Sequence, residues 1–214
     1  MRTRAEQEAI NKACKYHPAT KTELILLLEV SEVKLNDIDT SKITDMSELF
    51  AYEKYRYEWN GLELWDTSNV TDMSNMFYGC YYNFNYPLGD WDVSSVKNMS
   101  CMFSYCKNFN QDIGGWNVEK VQDMSYMFQS CEKFNQNLNK WSVNKRCKTI
   151  NIFFNAGQDL FNANKAFTTE QLLKSLTTNE EVEIDDLESL TEQNFWEQSL
   201  NVTNEIEEGV QNGV

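Results

Sequence analysis

Apolar residues recur along most of this chain in blocks of about 25 residues. From Leu62 onward, four consecutive segments place large apolar residues at matching positions: LELWDTSNVTDMSNMFYGCYYNFNYP, LGDWDVSSVKNMSCMFSYCKNFNQD, IGGWNVEKVQDMSYMFQSCEKFNQN and LNKWSVNKRCKTINIFFNAGQDLFN. A less regular copy, LNDIDTSKITDMSELF, precedes them at Leu35–Phe50. A fixed period of this length is typical of stacked repeats, since one unit is too small to bury a core by itself.

The alignment predicts that equivalent residues of successive repeats form columns. We therefore expect a repeat solenoid, a leucine-rich-repeat-like right-handed stack of about five coils over residues 35–167. Each coil is predicted to contain a short strand, as at Val70–Met73, and a single helical or 3₁₀ turn, as at Ser74–Cys80. The expected columns are Trp65/Trp91/Trp116/Trp141, Met73/Met99/Met124/Ile150, Phe77/Phe103/Phe128/Phe154 and Phe84/Phe109/Phe134/Phe161.

Residues 1–34 have a different pattern and are predicted to form a helical N-terminal cap. Helical spacing occurs at Arg4–Lys15 and at Thr20–Val33, and Thr20 or Thr22 can serve as the N-cap of the second helix. Such a cap would cover the open end of the array, which otherwise exposes apolar faces and unpaired backbone.

Negative charge is concentrated at the C-terminal end. The chain has 19 Lys plus Arg against 33 Asp plus Glu, a formal net charge of −14, and residues 168–214 hold 12 of the acidic residues but one basic residue, Lys174. Residues 168–214 are predicted to be an acidic, mainly helical C-terminal cap and tail. The excess of acidic over basic residues argues against nucleic acid or an anionic membrane as the main partner. Six acidic residues are predicted either to dock a basic partner or to solvate the cap. They are Glu180, Glu181, Glu183, Asp185, Asp186 and Glu188.

The sequence predicts neither a membrane span nor a signal peptide. The longest apolar run, Leu24–Leu28, is far shorter than the roughly 18 residues that a span needs. Met1 leads into a polar helical stretch without a hydrophobic signal region. We therefore expect a soluble chain that is cytoplasmic if it is native and full length.

The repeat consensus W-D-x-S-x-V-x-x-M-S-x-M-F-x-x-C-x-x-F-N-x-x-L, with its lead-in, closely resembles the BspA-like repeat family of bacterial surface proteins and lipoproteins. The resemblance covers about Leu35 to Asn162. It implies a leucine-rich-repeat-like solenoid, used for adhesion or other protein contacts without enzymatic activity, at the cell surface or secreted. We expect the chain to depart from the usual member, because its sequence predicts no signal peptide, lipid-attachment cysteine or wall anchor.

Six cysteines are present, and Cys80, Cys106 and Cys131 fall in one column. We interpret this column as a ladder of buried free thiols, because free cysteine is among the most buried residue types. An occasional disulfide between neighbouring coils, or a metal site, is the alternative. The lone histidine, His17, is expected to be a surface linker residue.

Two columns of Asp and Asn side chains are the best metal candidates, Asp66/Asp92/Asn117 and Asp72/Asn98/Asp123. Calcium binds such oxygens, but no EF-hand spacing is present, and Asx turns that close each coil explain the columns without an ion. We therefore predict no metal. A further column, Asn85/Asn110/Asn135, is predicted to be an amide ladder that satisfies buried backbone.

Aromatic residues break the repeat near its N-terminal end. The stretch AYEKYRYEW at residues 51–59 resembles an insertion, and the next repeat carries tyrosines where later repeats have polar residues. Because the fold does not require tyrosine there, we predict a binding patch; the alternative is that these rings cover the junction with the N-terminal helices. The patch comprises Tyr52, Tyr55, Tyr57, Trp59, Tyr78, Tyr81, Tyr82 and Tyr86.

No catalytic motif is found: there is no glycine-rich phosphate loop, GxSxG, HExxH or Cys/His constellation. We expect a non-enzymatic protein-interaction module without a cofactor, whose aromatic patch contacts a host or neighbouring-cell protein or a glycan. The alternative is an intracellular inhibitor, immunity or scaffold protein whose acidic segment binds a basic bacterial protein. A third hypothesis is an array element that self-associates through coil edges.

Overall fold

The computed structural model describes residues 2–52, 58–81 and 84–157 of the chain. No helix among these residues has the length and apolarity needed to cross a membrane. The predictions for Tyr55, Tyr57, Tyr82, Phe161 and the whole acidic C-terminal cap and tail lie outside the described residues.

The first helix, α1, spans Arg4–Ala13. Thr3 caps it, because its Oγ1 accepts the N–H of Glu6 at 3.3 Å while the Glu6 carboxylate accepts the N–H of Thr3 at 2.8 Å. This capping box satisfies two backbone donors at the helix start. The helix ends before the predicted Lys15, because the N–H of Lys15 donates to the carbonyl oxygen of Asp37 at 2.8 Å.

The second helix, α2, spans Lys21–Leu28. Thr20 is its N-cap, which confirms one of the two predicted caps: its Oγ1 accepts the N–H of Glu23 at 3.2 Å. Leu24 is fully buried and joins the core of the repeats. The predicted continuation to Val33 is wrong, since the residues after Leu28 form separate turns.

Successive repeats are joined by backbone hydrogen bonds between equivalent residues. One residue per repeat forms an isolated parallel bridge, and no longer strand occurs among the described residues. The predicted strand at Val70–Met73 is therefore reduced to the single bridge residue Asp72. The bridged pairs are Asp45 with Asp72, Asp72 with Asn98, Asn98 with Asp123, and Asp123 with Lys148.

After each bridge the chain forms overlapping turns, which we call the turn ribbon. Alternate N–H groups donate within the ribbon to the carbonyl three residues earlier, as from Met76 to Met73 at 3.2 Å. The N–H groups between them donate to the next repeat, as from Phe77 to Met102 at 3.0 Å. Of the predicted helical or 3₁₀ turn at Ser74–Cys80, the helical form is wrong, whereas the bonds to the third preceding residue are of the 3₁₀ type. The ribbons comprise residues 46–52, 73–80, 99–106, 124–131 and 149–156.

Two positions in each turn ribbon have left-handed backbone conformation, and nearly all are occupied by residues other than glycine. Examples are Asn75, Cys101 and Tyr105, with φ of 55°, 56° and 63°. Such angles interrupt both strand and helix, so they give the ribbon its form. The two sets are Glu48, Asn75, Cys101, Tyr126 and Asn151, and Tyr52, Gly79, Tyr105, Ser130 and Asn155.

The tryptophans form the predicted column and tie the repeats together. Each indole Nε1 donates to a buried carbonyl oxygen of the preceding repeat at 2.9–3.1 Å. The bulkiest side chain of each repeat is thus fixed by one directional bond, in addition to its burial. The donor and acceptor pairs are Trp65 and Leu35, Trp91 and Leu62, Trp116 and Leu88, and Trp141 and Ile113.

The phenylalanine column is confirmed from Phe77 through Phe103 to Phe128, with ring centroids 5.7 and 5.8 Å apart. In the last repeat the prediction is wrong by one residue, because Phe153 rather than Phe154 stacks on Phe128, at 5.7 Å.

The methionine column shows the same shift. It ends at Thr149, which is 2% exposed, rather than at Ile150, which is 38% exposed. The register is set by the backbone bond from Met124 to Lys148, which leaves the more apolar Ile150 facing outward.

The predicted thiol ladder is confirmed. Its three cysteines are buried and free, and each Sγ donates to a phenylalanine carbonyl of the preceding repeat. Burial raises the pKa of Cys106 and of Cys131, so these thiols stay protonated near neutral pH. The pairs are Cys80 and Phe50 at 3.3 Å, Cys106 and Phe77 at 3.0 Å, and Cys131 and Phe103 at 2.9 Å.

Candidate binding site

Three of the predicted patch residues meet on the turn ribbons of the first repeats. The rings of Tyr52 and Tyr78 lie 5.1 Å apart, edge to face. Tyr105, from the next repeat, lies 5.6 Å from Tyr78 and 6.2 Å from Tyr81. We call Tyr52, Tyr78, Tyr81 and Tyr105 the tyrosine cluster. Edge-to-face contact is a preferred geometry of aromatic pairs, so the rings hold one another in place.

Gly79 makes room for the tyrosine cluster. It has the ribbon position that Tyr52 and Tyr105 have in the neighbouring repeats, with φ of +71°. A Cβ at Gly79 would lie 3.0 Å from Cδ1 of Tyr52 and 3.4 Å from Cε2 of Tyr81. The rings therefore lie over bare backbone, and the cluster depends on the absence of a side chain at this position.

The tyrosine cluster presents both rings and hydroxyl groups. Tyr52 is 59% exposed, whereas Tyr78, Tyr81 and Tyr105 are half-buried. Burial, together with the neighbouring Tyr52 and Tyr105, raises the pKa of Tyr78 to about 12. Its hydroxyl is therefore protonated at neutral pH and can both donate and accept hydrogen bonds. The arrangement can combine apolar ring contact with directional polar contacts.

Two other predicted patch residues lie apart from the cluster. Trp59 is only 3% exposed, and its ring packs edge-on against Phe50 at 5.2 Å and Phe84 at 4.8 Å. The prediction of Trp59 as a surface contact is therefore wrong, because this side chain belongs to the core. Tyr86 packs partly against the same core and donates its hydroxyl to Oδ1 of Asn60.

Sequence reasoning missed Tyr105, which joins Tyr78 to Tyr81. The signal was present in the alignment: Tyr105 precedes its column cysteine where the neighbouring repeats have Gly79 and Ser130. Tyr105 belongs to the repeat after the one with the most tyrosines, and only the ribbon geometry brings these two repeats into contact.

The Asp and Asn columns close Asx turns, as predicted. Oδ1 of Asp66 and Oδ1 of Asp72 accept the N–H two residues further on, at 3.1 and 2.8 Å. Asn117 and Asn98 make the same bond in later repeats, so an amide serves as well as a carboxylate. Within residues 2–52, 58–81 and 84–157, no group of three or more His, Cys, Asp or Glu side chains could hold a metal ion.

The asparagine column forms the predicted amide ladder, but at the surface. Oδ1 of Asn85 accepts the N–H of Asn110 at 2.9 Å, and Asn110 repeats this contact to Asn135 at 3.0 Å. Asn85 and Asn135 are exposed. The expectation that the ladder satisfies buried backbone is therefore wrong, and it orders an exposed bend instead.

A polar groove of about 630 Å³ lies between α1 and the first repeats. Gln7 and Asn11 of α1 cross it, donating to the carbonyl oxygen of Leu64 at 2.9 Å and to Oδ2 of Asp66 at 2.7 Å. These bonds anchor α1 to the repeats. We therefore interpret the groove as the place where α1 is attached and not as a binding site.

Equivalent residues of successive repeats make the same hydrogen bonds, which is the pattern of a repeat protein. The tyrosine cluster lies at one place in this series of repeats. Residues 44–167, more than half of the chain, match the family described as Mycoplasma protein of unknown function, DUF285, and the chain belongs to this family. No curated protein and no solved structure matches the chain.

Proposed function

We propose that the repeats form a leucine-rich-repeat-like solenoid with helical caps, and that this solenoid is a non-catalytic protein-interaction module similar to BspA-like surface adhesins. The tyrosine cluster is the contact surface, and its partner is a host or neighbouring-cell protein, or a glycan. The family assignment is compatible with this proposal, because its description names no activity.

One observation carries the proposal: the tyrosines occupy positions that the fold fills mostly with small or polar side chains elsewhere. The position of Tyr78 holds Ala51, Ser104 and Gln129 in three repeats and Phe154 in the last, with the same backbone bonds. Stability therefore does not require tyrosine. Rigid rings with a polar tip are enriched at protein interfaces, where they bury large area at low entropic cost.

The test compares the triple variant Tyr52→Gln, Tyr81→Gln, Tyr105→Gln with the wild-type chain. Each protein is immobilised and exposed to host surface proteins and to a glycan array, and the affinity for any captured partner is then measured with purified components. We expect the triple variant to bind at least about tenfold more weakly, since interface tyrosines commonly contribute more than about 1 kcal/mol each.

Tyr126→Gln is the matched control, because it removes a half-buried tyrosine from a ribbon position outside the cluster. It should bind like the wild type. If the triple variant unfolds at the wild-type temperature and retains wild-type affinity, the tyrosine cluster is not the contact surface.

A second candidate function is that of an inhibitor, immunity or scaffold protein for a basic partner. The supporting observation is the charge of residues 168–214, with 12 acidic residues against one basic residue. Binding should then weaken steeply with added salt and with the change of Glu180, Glu181 and Glu183 to Gln, because exposed ion pairs are screened. Binding that is insensitive to both changes would exclude this function.

A further inference from the structure

One corner of each repeat forms a continuous strip of outward-facing residues. It consists of the two residues of the corner turn and the next exposed residue, as in Ser94, Ser95 and Lys97. Backbone bonds join the last residues into a column, from Gln122 to Lys97 and from Lys97 to Thr71, both at 2.8 Å. In the last repeat the next exposed residue is Lys148, which is the bridge partner of Asp123 and whose N–H donates to the carbonyl oxygen of Gln122 at 2.9 Å. We call this surface the corner strip. Its members are 41, 42 and 44; 68, 69 and 71; 94, 95 and 97; 119, 120 and 122; and 145, 146 and 148.

The charge of the corner strip changes along the repeats. In the first two repeats the strip is neutral except for Lys42, with Ser, Thr and Asn at the other positions. The last three repeats supply five exposed cations and one anion, Glu119. Since serine and threonine suffice at the same backbone positions, the fold does not require these cations. The five cations are Lys97, Lys120, Lys145, Arg146 and Lys148.

The columns beside the corner strip lose part of their negative charge over the same repeats. Asp66 and Asp72 give way to Asn117 and Asn98, which close the same Asx turns, although Asp92 keeps its carboxylate beside Ser94. Asp123 keeps its carboxylate but lies 3.7 Å from Nζ of Lys148, whose side chain is 69% exposed. Two independent substitutions, cations added and carboxylates removed, therefore make this corner positive on a chain of net charge −14.

We infer that the corner strip of the last three repeats is a docking surface for an extended acidic segment of a partner polypeptide. The strip is narrow, since each repeat contributes three residues to it, and the acidic first repeats adjoin it. A single extended chain can follow it, whereas a duplex or a membrane plane would also meet those carboxylates.

The composition of the corner strip disfavours single-stranded nucleic acid. No strip position carries an aromatic side chain on which a base could stack. None of the tyrosine cluster residues belongs to the strip, so this surface goes beyond the proposed function and is tested separately from it.

The experiment measures binding of fluorescent deca-glutamate to the full chain at low ionic strength by fluorescence anisotropy, with deca-glutamine as the neutral probe. We expect the wild type to bind deca-glutamate only. The strip variant Lys120→Gln, Lys145→Gln, Arg146→Gln should bind about tenfold more weakly, because it removes three exposed cations whose ion pairs are individually weak but add along the strip.

The matched control Lys12→Gln, Lys133→Gln, Lys140→Gln makes the same change in net charge outside the corner strip and should retain wild-type binding. Both variants are first shown to unfold at the wild-type temperature. The proposal is overturned if the control loses as much affinity as the strip variant, if deca-glutamate does not bind, or if oligothymidylate or phosphatidylserine vesicles bind more tightly through the same residues.

Discussion

Cys101 and Tyr105 show how single residues maintain the turn ribbon. Both have positive φ, a conformation that costs a residue other than glycine roughly 1–2 kcal/mol. The same residues donate their N–H groups to Ser125 at 2.8 Å and to Gln129 at 2.7 Å in the next repeat. The conformation that costs energy locally is thus the one that aligns the donor, and the inter-repeat bond offsets the cost.

Gly114 and Gly115 provide an adjacent pair for testing how closely the repeats approach. A Cβ on Gly114 would lie 2.5 Å from the carbonyl oxygen of Asn137, whereas a Cβ on Gly115 would have no atom within 4 Å. We expect Gly114→Ala to lower the free energy of unfolding by about 1–3 kcal/mol, because the backbone contact must open. Urea unfolding followed by tryptophan fluorescence measures the change.

Gly115→Ala should leave the free energy of unfolding unchanged or raise it slightly, since alanine restricts the unfolded chain. Equal destabilisation by the two substitutions would mean that close approach of Gly114 to the next repeat is not the cause.

At the residue scale, prediction succeeded where one residue type recurs at the same position of successive repeats. The buried thiols followed from three cysteines in register. The left-handed conformation of Cys101 and Tyr105 could not be predicted, because side-chain identity gives no signal for it in residues that rarely adopt it. Tyr105 was missed as a cluster residue for a related reason, since the ribbon geometry decides which repeat it contacts.

The start of α2 and the segment before it are attached to the first repeat through carboxylates. Nδ1 of His17 lies 3.0 Å from Oδ2 of Asp39, and Nζ of Lys21 lies 3.2 Å from Oδ1 of Asp45. Burial raises the pKa of Asp39 and of Asp45, but hydrogen bonds outweigh it and hold both below the ordinary 3.8. A carboxyl whose pKa is lowered by folding stabilises the fold when it is ionised.

Stability should therefore fall as the pH drops through the lowered pKa of Asp39, and this contribution should be complete above the ordinary value of 3.8. We expect Asp39→Asn, which keeps the Asx-turn acceptor, to be less stable than the wild type at neutral pH. The difference should shrink as the pH falls below about 4. Urea unfolding midpoints at neutral and acidic pH measure it.

Asp92→Asn is the matched control, because Asp92 closes the equivalent Asx turn, whereas His17 and Lys21 pair with Asp39 and Asp45. It should show the smaller pH-dependent difference. A loss of stability in Asp39→Asn that is the same at both pH values would contradict the ionic contribution of Asp39.

At the scale of elements, the sequence predicted both helices but not the form of the repeats. The N-cap Thr20 gave a sharp start for α2, whereas both helix ends were placed too late because competing backbone contacts do not appear in the helical pattern. The last repeat was misaligned because its apolar residues match in two registers. The backbone bond from Met124 to Lys148 selects the register that buries Thr149 and Phe153.

At the scale of the molecule, one continuous core joins α2 to the last described repeat, from Leu24 to Phe153. Four of the six cysteines are buried in it, and Cys14 and Cys101 are half-buried. Burial, followed by the nearby Asp123, raises the pKa of Cys147 to about 12. Because the thiolate is the reactive form, these thiols are protected both by position and by protonation.

We expect a thiol reagent at mildly alkaline pH to label Cys14 and Cys101 first. Cys80, Cys106, Cys131 and Cys147 should react only at the rate of global unfolding, because a shared core exposes them together. Labelling over time, with mass spectrometry of the peptides, separates the two groups. Fast labelling of a column cysteine in the folded protein would show that the repeats open singly.

The period of the sequence made the repeats predictable at this scale, and residues 44–167 place the chain in its family. It was not predictable from the sequence that the corner strip is a surface separate from the tyrosine cluster. Net charge alone argued against nucleic acid or an anionic membrane as the main partner, whereas the corner strip becomes visible only when backbone bonds join Lys97 to Gln122 and Gln122 to Lys148.

Because successive repeats are joined by the same hydrogen bonds, the chain can gain or lose one whole repeat. Removal of residues 113–137 would join Asp112 to Leu138 and bring Trp141 into the place of Trp116, with every donor facing an equivalent acceptor. The tyrosine cluster and the cations nearest the C-terminal end would then come one repeat closer. In-frame duplication or deletion by recombination can thus change the distance between the two proposed binding surfaces in steps of one repeat, without redesign of the core.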